Sequence, residues 1–453
     1  MKNPNLDKYQ EFIFEDYKLN RETGELSLKY SFDDIIHFEE KVYFPVEKID
    51  WSKVNLEALK LALDNLHLMM GISYYKAYVP SKMVLKKTEL SVDQAIFWKK
   101  IYQRGLGEFF YKNNIDFNGL INFPFDEELR PSHVHLELTE RSLVPIGGGK
   151  DSLATAEMLN QAGENFDYFT FKDELPIKET AAILGKNRLL INRKIDPQII
   201  ELNNQGAFNG HIPISAVISF LMIVCGVLYD YKYFILSLEK SANYGQIDYL
   251  GMDINHQYSK SYEFEQDFSE YIARYISPDL HFFSFLRPFY EIRIAKIFAN
   301  NPNFEKYAPI FTSCNRNFKL YKKPEEAGKW CGKCPKCAFV FAILAPFVDK
   351  NKLIEIFGGN LFDDAELVDL FRELSGYKDI KPFECVGTPE EMIAAFDMVA
   401  TKGDYADSAV IKMYLEEIKP DISDAEKIKE EVLKIHESVT IPSRFLNILY
   451  EFS

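Results

Sequence analysis

The chain has 453 residues, of which 53 are Lys or Arg and 68 are Asp or Glu, so its net charge is −15. Hydrophobic residues make up 47% and charged residues 27%, a globular composition that excludes a largely disordered chain. The excess of acidic residues argues against a general nucleic-acid-binding protein, which needs clustered Lys and Arg.

Residues 1–138 are predicted to form a mixed α+β region that carries no chemical motif. A strand-like segment closes at residues 43–45, and residues 56–70 and 92–110 have the periodicity of amphipathic helices. The first residues are polar and charged, so no secretory signal is predicted.

From Ser142 onward, short apolar runs alternate with segments of helical periodicity. Strands are predicted at 143–146, 167–171, 189–192, 233–238 and 281–285. Helices are predicted at 151–162, 178–184, 213–229, 261–275 and 290–300. This alternation predicts an α/β domain over residues 139–311, with a parallel sheet, helices on both faces and ligands at the carboxyl ends of the strands.

The segment 213–229 is uncharged and therefore needs a membrane check. It contains Pro213, Ser215 and Ser219, has no basic flank and is short for a membrane span. We therefore expect a buried core helix rather than a membrane segment.

The rest of the chain is predicted to contain a cysteine-rich segment and a helical region. Residues 312–350 hold the cysteines and an apolar helix at 338–348, and residues 351–453 are helical. Two capping boxes mark helix starts, one from Thr388 to Glu391 and one from Ser423 to Glu426.

A glycine-rich turn lies between the first predicted strand and the first predicted helix of the α/β domain. Backbone amides in such a turn can close around an anion, and the helix N-terminus adds its positive end. Pyrophosphate or a triphosphate would fit. Val144 stands where a Walker A loop needs its first Gly, and Ser152 stands where a dinucleotide fingerprint needs its third, so both motifs are absent.

The turn resembles the SGGxDS loop of the N-type ATP pyrophosphatases, or PP-loop enzymes, with Gly147 in place of the first Ser. The resemblance implies that Lys150 neutralises phosphate charge and that Asp151 helps to hold Mg²⁺. The implied ATP-binding residues are Gly147, Gly148, Gly149, Lys150, Asp151 and Ser152. The alternative is a plain glycine-rich turn.

Four cysteines have the spacing of a metal site: Cys314, Cys331, Cys334 and Cys337. The two-residue gaps let successive thiolates surround one ion, and four thiolates form a closed structural Zn²⁺ site. An iron–sulfur cluster and the absence of a stable metal are the alternatives. PP-loop enzymes such as cyano-deazaguanine synthase have similar cysteine ends with a structural metal, so this resemblance also implies structural zinc.

Polar segments outside these motifs are candidates for the substrate site. Residues 239–243 follow a predicted strand and so fall at its carboxyl end. Residues 255–265 are dense in groups that bind or move protons, so we expect this second segment to face the substrate. His211 either faces the nucleotide or is a locally hydrogen-bonded turn residue. Cys385 precedes a predicted helix, whose dipole can lower a thiol pKa, but free cysteines are commonly buried hydrophobes.

Together these segments resemble the UDP-N-acetylmuramoyl-L-alanyl-L-glutamate epimerase family. The segments are GGGKDS, NGHIP, SAN, NHQYSKSYEFE, SCNR followed by WCGKCPKC, and KPFECVGT, within about residues 140–390. The resemblance implies ATP-dependent conversion of the terminal L-Glu of the UDP-linked muramoyl dipeptide to D-Glu, with release of AMP and pyrophosphate, in peptidoglycan precursor synthesis. It also implies a partner ligase that adds L-Glu to UDP-MurNAc-L-Ala.

An acyl-adenylate intermediate accounts for the use of ATP. The α-proton beside a free carboxylate is very weakly acidic, whereas an adenylated carbonyl is an electron sink, so a base and an acid can then exchange the proton across the α-carbon. The candidate catalytic residues are His256, Lys260, Glu263, Glu384 and Cys385. His256 and Cys385 come first because of their pKa range.

Three other functions stay open at this point. They are another PP-loop ligase or amidotransferase that adenylates a carboxylate, a tRNA-modifying PP-loop enzyme, and a nucleotide-sensing module without turnover. The net charge of −15 counts against the tRNA-modifying enzyme. The cysteine usage predicts the cytoplasm, and we expect no nucleic-acid or membrane partner. The sequence does not predict the oligomeric state.

Overall fold

The computed structural model describes residues 6, 8–171, 173, 175–314 and 330–452. The strands are β1 Glu11–Leu19, β2 Glu25–Phe32, β3 Ile36–Tyr43, β4 Lys82–Leu85, β5 Ser142–Pro145, β6 Phe166–Thr170, β7 Arg188–Leu190, β8 Asn192–Lys194, β9 Tyr233–Leu236, β10 Ile247–Tyr249, β11 Met252–Ile254 and β12 His281–Ser284. The helices are α1 Leu56–Tyr75, α2 Val92–Gly105, α3 Gly107–Lys112, α4 Lys150–Gln161, α5 Leu175–Leu184, α6 Gln198–Asn204, α7 Ile214–Tyr229, α8 Tyr262–Tyr275, α9 Glu291–Ala299, α10 Phe304–Tyr307, α11 Pro335–Leu344, α12 Lys350–Phe357, α13 Val368–Leu374, α14 Pro389–Lys402, α15 Ala409–Met413, α16 Ala425–Leu433 and α17 Ser443–Glu451.

The N-terminal sheet has the strand order β4-β1-β2-β3-β8. Strands β1, β2 and β3 pair antiparallel, and β4 lies parallel to β1. On β2, alternate side chains, those of Leu26, Leu28 and Tyr30, are fully buried, as expected of a strand with one face on a core. The Tyr30 hydroxyl donates a hydrogen bond to the His67 carbonyl on α1 at 3.0 Å, so this helix covers the sheet.

The second large sheet is wholly parallel and has the order β12-β9-β5-β6-β7. Its first strand in the chain, β5, is therefore central, and the chain adds later strands on both sides of it. The five strands predicted from Ser142 onward are all present, with ends within two residues of the prediction.

Helices cover both faces of the parallel sheet. Leu143 and Phe234 belong to the core that contains α7 and the N-terminal region. Their neighbours Val144 and Ile235 point the other way and belong to a core with α4, α9 and α11. Burial on both faces explains why these strands are continuous apolar runs, and the predicted α/β class is confirmed.

Ile191 joins the two sheets, whereas the sequence predicts one strand over residues 189–192. Strand β7 ends at Leu190 in the parallel sheet, and β8 begins at Asn192 in the N-terminal sheet, where it pairs with β3. The Ile191 amide donates to the Thr170 carbonyl at 2.9 Å, which ends the parallel ladder.

Two other expectations need correction. The predicted helix at 92–110 is interrupted at Leu106, whose ψ of 10° is not helical. The glycines on either side, Gly105 and Gly107, have low helix propensity and favour the break. The capping box at Thr388 is present, but α16 is capped by Asp424, which accepts from the Lys427 amide, and not by Ser423.

The uncharged segment forms the buried helix α7, which packs on α1. Within the described ranges, no helix combines the length and the apolar character that crossing a membrane requires. The C-terminal region contains α12 to α17, as the sequence predicts. The division of the chain into domains stays a prediction.

Candidate active site

The candidate site lies at the carboxyl ends of β5 and β9, where the strand order of the parallel sheet reverses. A crevice forms at such a point because the connections after the two strands diverge, and ligands of open α/β sheets bind there. The glycine-rich turn follows β5, and residues 239–243 follow β9. The sequence predicts a ligand-binding role for both segments.

The glycine-rich turn has the geometry of an anion cradle. Gly148 has φ +81°, which only glycine adopts without strain. A Cβ at Gly149 would lie 3.2 Å from the Ser313 Cβ, whereas a Cβ at Gly147 would meet no described atom within 4 Å. Among the described residues the buried Ser313 hydroxyl has no hydrogen-bond partner. Among the described residues the turn thus has one open side, with an unpartnered hydroxyl beside it.

Lys150, at the start of α4, does not point into solvent. Its side chain is fully buried, and its ammonium contacts the carboxylates of Asp151 and, at 2.7 Å, Glu291. Burial alone would lower the pKa of Lys150, but these two anions raise it above its ordinary value. Lys336 approaches Glu291 at 3.3 Å from α11. The turn therefore lies beside a buried network of opposite charges.

Two more carboxyl groups border this network. Burial and the negative charge of Glu291 raise the pKa of Glu239 to about 7. The same two causes raise the pKa of Glu391 to about 7, although it accepts hydrogen bonds from Ser241 at 2.7 Å and from the Ile292 amide at 3.0 Å. Asp151, with 22% of its side chain exposed, is open to a further ligand. Divalent cations such as Mg²⁺ bind through carboxylate oxygens.

A second cluster surrounds Cys385, which is on the loop before α14. Its Sγ lies 3.2 Å from the Lys260 ammonium. Burial alone would raise the pKa of this thiol, but Lys260 and His256 lower it to about 5. Cys385 is therefore a thiolate at neutral pH. The neighbouring cations lower its pKa, and the helix dipole suggested by the sequence is not needed.

His256 carries the complementary positive charge. Burial alone would lower its pKa, but Cys385 and Glu108 raise it to about 9. Its Nδ1 hydrogen-bonds to Glu108 Oε2. Burial alone would raise the pKa of Glu108, but His256 lowers it to about 2. The cluster thus holds a thiolate and an imidazolium side by side, which is an arrangement for proton transfer.

Arg287, which follows β12, holds the two clusters together. Its guanidinium donates to the Glu239 carbonyl at 2.7 Å and to the Lys260 carbonyl at 2.9 Å. It also forms a buried ion pair with Glu265 at 2.7 Å. These bonds fix the loop that carries Glu239 relative to the segment that carries Lys260. The charge of Glu239 interacts with both Lys260 and Asp151, so the two clusters are neighbours.

Lys381 is a buried cation beside the site. Its ammonium makes no hydrogen bond to any residue in the described part of the chain, and it lies 4.7 Å from the centre of the Tyr244 ring. Burial lowers its pKa to about 8. The negative charges of Glu391, Glu291 and Cys385 act on it, which places it near both clusters.

Four of the five predicted catalytic residues lie together. His256, Lys260 and Cys385 are in contact or near contact, and Glu384 lies close enough for its charge to interact with His256, while burial raises its pKa. The structure does not bring Glu263 to this cluster. Glu263 pairs at the surface with Lys100 at 2.8 Å.

Sequence reasoning missed several residues of the site, above all Glu108. That residue is 148 positions away from His256 and stands in a region without a motif. Glu291, Lys336 and Glu391 were also missed. Three of these four missed residues are fully or almost fully buried carboxylates, at 5% exposure or less. A buried acid in an apolar segment is the signal that could have identified them.

The four predicted metal ligands lie together at the edge of the site. The Sγ atoms of Cys334 and Cys337 are 3.5 Å apart, those of Cys331 and Cys337 3.6 Å, and those of Cys314 and Cys334 4.0 Å. Tetrahedral zinc with bonds of about 2.3 Å separates its sulfur ligands by about 3.8 Å. The cluster therefore fits one structural metal ion. Asn315 and Arg316, part of the SCNR motif, lie outside the described residues.

Comparison with known proteins covers almost the whole chain. Residues 3–285 match the family model described as the MurL N-terminal domain, and residues 310–429 match the MurL C-terminal domain. A protein of Xanthomonas oryzae pv. oryzae is 37% identical over 440 residues, 96% of each chain. A protein of Micromonospora sp. is 33% identical over 92% of this chain and 93% of its own, and one of Salinispora tropica is 32% identical over 92% and 91%. All three are named UDP-N-acetyl-alpha-D-muramoyl-L-alanyl-L-glutamate epimerase.

Proposed function

The chain belongs to the MurL family, and we propose that it inverts the α-carbon of the terminal glutamate in UDP-MurNAc-L-Ala-L-Glu by way of an acyl-adenylate. The inversion supplies the D-Glu form of a peptidoglycan precursor. The observation that carries the proposal is the cluster of Cys385, His256 and Lys260, in which the thiol is held as a thiolate beside an imidazolium.

The cradle supports the ATP half of the reaction. In this proposal the amides after Gly147 and the Ser313 hydroxyl bind the pyrophosphate of ATP, as in a PP-loop enzyme. Attack of the substrate carboxylate on the α-phosphate forms the mixed anhydride with AMP and releases pyrophosphate. Magnesium, when bound, neutralises phosphate charge, and Asp151 with Glu239 would hold it. The ammonium of Lys381 makes no hydrogen bond within the described ranges, and in this proposal it binds an anionic group of the substrate.

The thiolate and the imidazolium support the proton-transfer half. Adenylation removes the negative charge of the carboxylate, so the α-proton becomes acidic enough for a positioned base. Cys385, with His256 in contact beside it, accepts this proton on one face of the planar carbon, and an acid on the other face returns a proton. Lys260 keeps the thiol ionised between turnovers. Hydrolysis of the anhydride releases AMP and the D-Glu product.

The reaction requires a suitable compartment and a supply of its substrate. The six cysteines all lie within the described residues and form no disulfide with one another, which favours a reducing compartment such as the cytoplasm. The L-Glu substrate requires a ligase that adds L-Glu to UDP-MurNAc-L-Ala. All three relatives are named for epimerisation, so neither ligation of a new group nor tRNA modification is part of the proposal.

Incubation with UDP-MurNAc-L-Ala-L-Glu, ATP and Mg²⁺ in deuterated water tests the whole scheme. We expect D-Glu after hydrolysis of the product, deuterium at its α-carbon, and equal amounts of AMP and pyrophosphate. Formation of ADP and phosphate, or inversion without any nucleotide, would overturn the adenylate. Cys385→Ser should retain pyrophosphate release and lose the deuterium, and normal deuterium entry would exclude Cys385 as the base.

A further inference from the structure

A carboxylate from the N-terminal region reaches the proton-transfer cluster. Glu108 is on α3, its side chain is 5% exposed, and its Oε2 receives the hydrogen bond from His256 Nδ1. Its other oxygen, Oε1, contacts the Lys112 ammonium one helical turn later. Both carboxylate oxygens of Glu108 are therefore in use, and one of them is bound to the imidazole ring.

We infer that Glu108 is a positioning residue for proton transfer, which holds His256 with a proton on Nδ1 and leaves Nε2 for Cys385 and the substrate. This inference rests on the proposed function. A carboxylate bonded to one ring nitrogen selects the tautomer, fixes the ring orientation and increases the basicity of the other nitrogen. Because the group is buried, its charge acts at low dielectric and has a larger effect than at the surface.

Close backbone contacts hold α3 in this place. A Cβ at Gly107 would lie 3.3 Å from Ile254 Cδ1, on the strand that leads to His256, and a Cβ at Gly210 would lie 3.1 Å from Phe109. Phe383, two residues before Cys385, lies 5.5 Å from the Tyr111 ring. The three segments that carry His211, His256 and Cys385 therefore all pack on α3.

A second histidine shares the carboxylate. His211 Nδ1 lies 3.6 Å from Glu108 Oε2, and the rings of His211 and His256 are 4.5 Å apart. Burial and the nearby His256 charge lower the pKa of His211 to about 3, so it stays neutral. The charged groups facing this pair are Glu108, Lys112, Lys260, Glu384 and Cys385. The pair of rings thus carries one positive charge, and it lies on His256.

The side chains of Glu108, His211 and His256 also form a set that could hold a metal ion, since their ligand atoms lie within 4.8 Å of one another. The contacts favour the hydrogen-bonded arrangement. Glu108 Oε2 and His256 Nδ1 hydrogen-bond to each other directly, which is the arrangement that the inference uses. A metal ion at this place is therefore the competing outcome of the test.

Glu108→Gln tests the inference, with Glu89→Gln as the control because Glu89 is an acid of the same region that lies outside the cluster. We expect deuterium entry at the glutamate α-carbon to fall by about 10- to 100-fold in Glu108→Gln, with KM unchanged. The alkaline limb of its pH profile should move to lower pH, because His256 loses its proton more easily without the carboxylate. ATP–pyrophosphate exchange, which reports adenylation alone, should stay at the wild-type rate in both variants.

Three results with Glu108→Gln would overturn the inference. The first is a pH profile and a rate of deuterium entry equal to those of the wild type. The second is an equal loss of deuterium entry and of ATP–pyrophosphate exchange together with a lower unfolding temperature, and the third is a metal content one equivalent per chain below that of the wild type. If Glu108→Gln is unstable, Glu108→Asp is the variant to measure. If its shorter carboxylate leaves the alkaline limb of the pH profile unchanged, the inference is also overturned. Absence of ATP–pyrophosphate exchange in the wild type would instead disprove the proposed function.

Discussion

At the residue scale, the ionisation of one thiol depends on two cations from distant positions. Cys385 is far in sequence from both Lys260 and His256, and in the structure Lys260 lies 3.2 Å from its sulfur. The ordinary pKa of a cysteine is about 8.5. The shift to about 5 is therefore a property of the folded cluster rather than of the local sequence.

The pH dependence of deuterium exchange should follow from these groups. In the wild type, exchange should rise as Cys385 loses its proton near pH 5 and fall as His256 loses its proton near pH 9. Lys260→Met removes a cation beside the thiol, so the pKa of Cys385 rises and the acid limb moves to higher pH. The rate of deuterium entry and the thiolate absorbance, each measured against pH with Cys385→Ser as the blank, test this expectation.

Lys18→Met is the matched control, because Lys18 is an exposed lysine on β1. Its pH profile should coincide with that of the wild type. An acid limb that stays at the same pH in Lys260→Met would contradict the assignment of Lys260 as the group that keeps the thiol ionised.

Some residues of the site are predictable because their motifs are local. The dense polar segment that holds His256 and Lys260, and the cysteine before the capped helix, are recognisable in the sequence. Glu108 is not, because its role depends on a contact between residues 148 positions apart. Glu263 lies in the same polar segment, which predicts a place in the site, but on α8 its side chain points to the surface and pairs with Lys100.

At the element scale, the turn between β5 and α4 depends on one backbone conformation. Gly148 has a positive φ of 81° and its carbonyl accepts from the Thr312 amide at 3.0 Å. Gly147 has no positive φ, and a Cβ added to it would have no described atom within 4 Å. The two glycines therefore serve different purposes, one for the shape of the turn and one for access to it.

Alanine substitutions should separate these purposes. Gly148→Ala should lower the free energy of unfolding by about 1–2 kcal/mol, the cost of a left-handed conformation for a residue with a Cβ, and should weaken ATP binding. Gly147→Ala should leave stability unchanged and weaken ATP binding only, because its Cβ enters the space predicted for phosphate. Denaturant unfolding and nucleotide titration of both variants test this, and equal stability of the two would contradict it.

The start of α14 links a helix cap to the site. Thr388 caps the helix, and Glu391 accepts a hydrogen bond from the Thr388 amide at 2.7 Å while also accepting from Ser241. Loss of a threonine cap typically costs about 1 kcal/mol. We expect Thr388→Ala to lower the free energy of unfolding by about that amount.

Thr388→Ala should also lower kcat, because the cap positions the loop that carries Cys385. Thr401→Ala, at the other end of the same helix, is the control, since Thr401 is exposed and donates its hydroxyl to the Asp397 carbonyl. Unfolding curves and kcat for the two variants measure the difference. A kcat for Thr388→Ala equal to that of the control would show that the cap supports the helix but not the site.

At the scale of the whole molecule, the sequence predicts the parallel sheet well and the N-terminal sheet poorly. The strands of the parallel sheet are short apolar runs separated by helices, so their type and order follow from local pattern. The N-terminal sheet depends on antiparallel pairing and receives β8 from beyond residue 190. The pairing of β8 with β3 and of β4 with β1 joins distant segments and leaves no local signal, and neither does the packing of α3 against the histidines.

The cysteine cluster should affect nucleotide binding as well as stability. The Cys314 amide donates to the Thr312 hydroxyl at 3.2 Å, and the Thr312 amide bonds to Gly148 in the anion cradle. We expect metal removal by a chelator to lower the unfolding temperature and to weaken ATP binding, because the support of the cradle is lost.

Metal analysis before and after chelation provides the measurement, and readdition of zinc should restore ATP binding. Visible absorption of the protein as purified would indicate an iron–sulfur cluster instead. Unchanged ATP affinity after full release of the metal would show that the cluster and the cradle are independent.

The neighbours of Cys385 have a consequence for the newly made protein. Before the chain folds, this cysteine has neither cation beside it, so at neutral pH only a small fraction of it is ionised and it resists oxidants and alkylating agents. On the ribosome the residue emerges after every other member of its cluster has been synthesised. Folding therefore creates the reactive sulfur only when the surroundings that shield it are already complete.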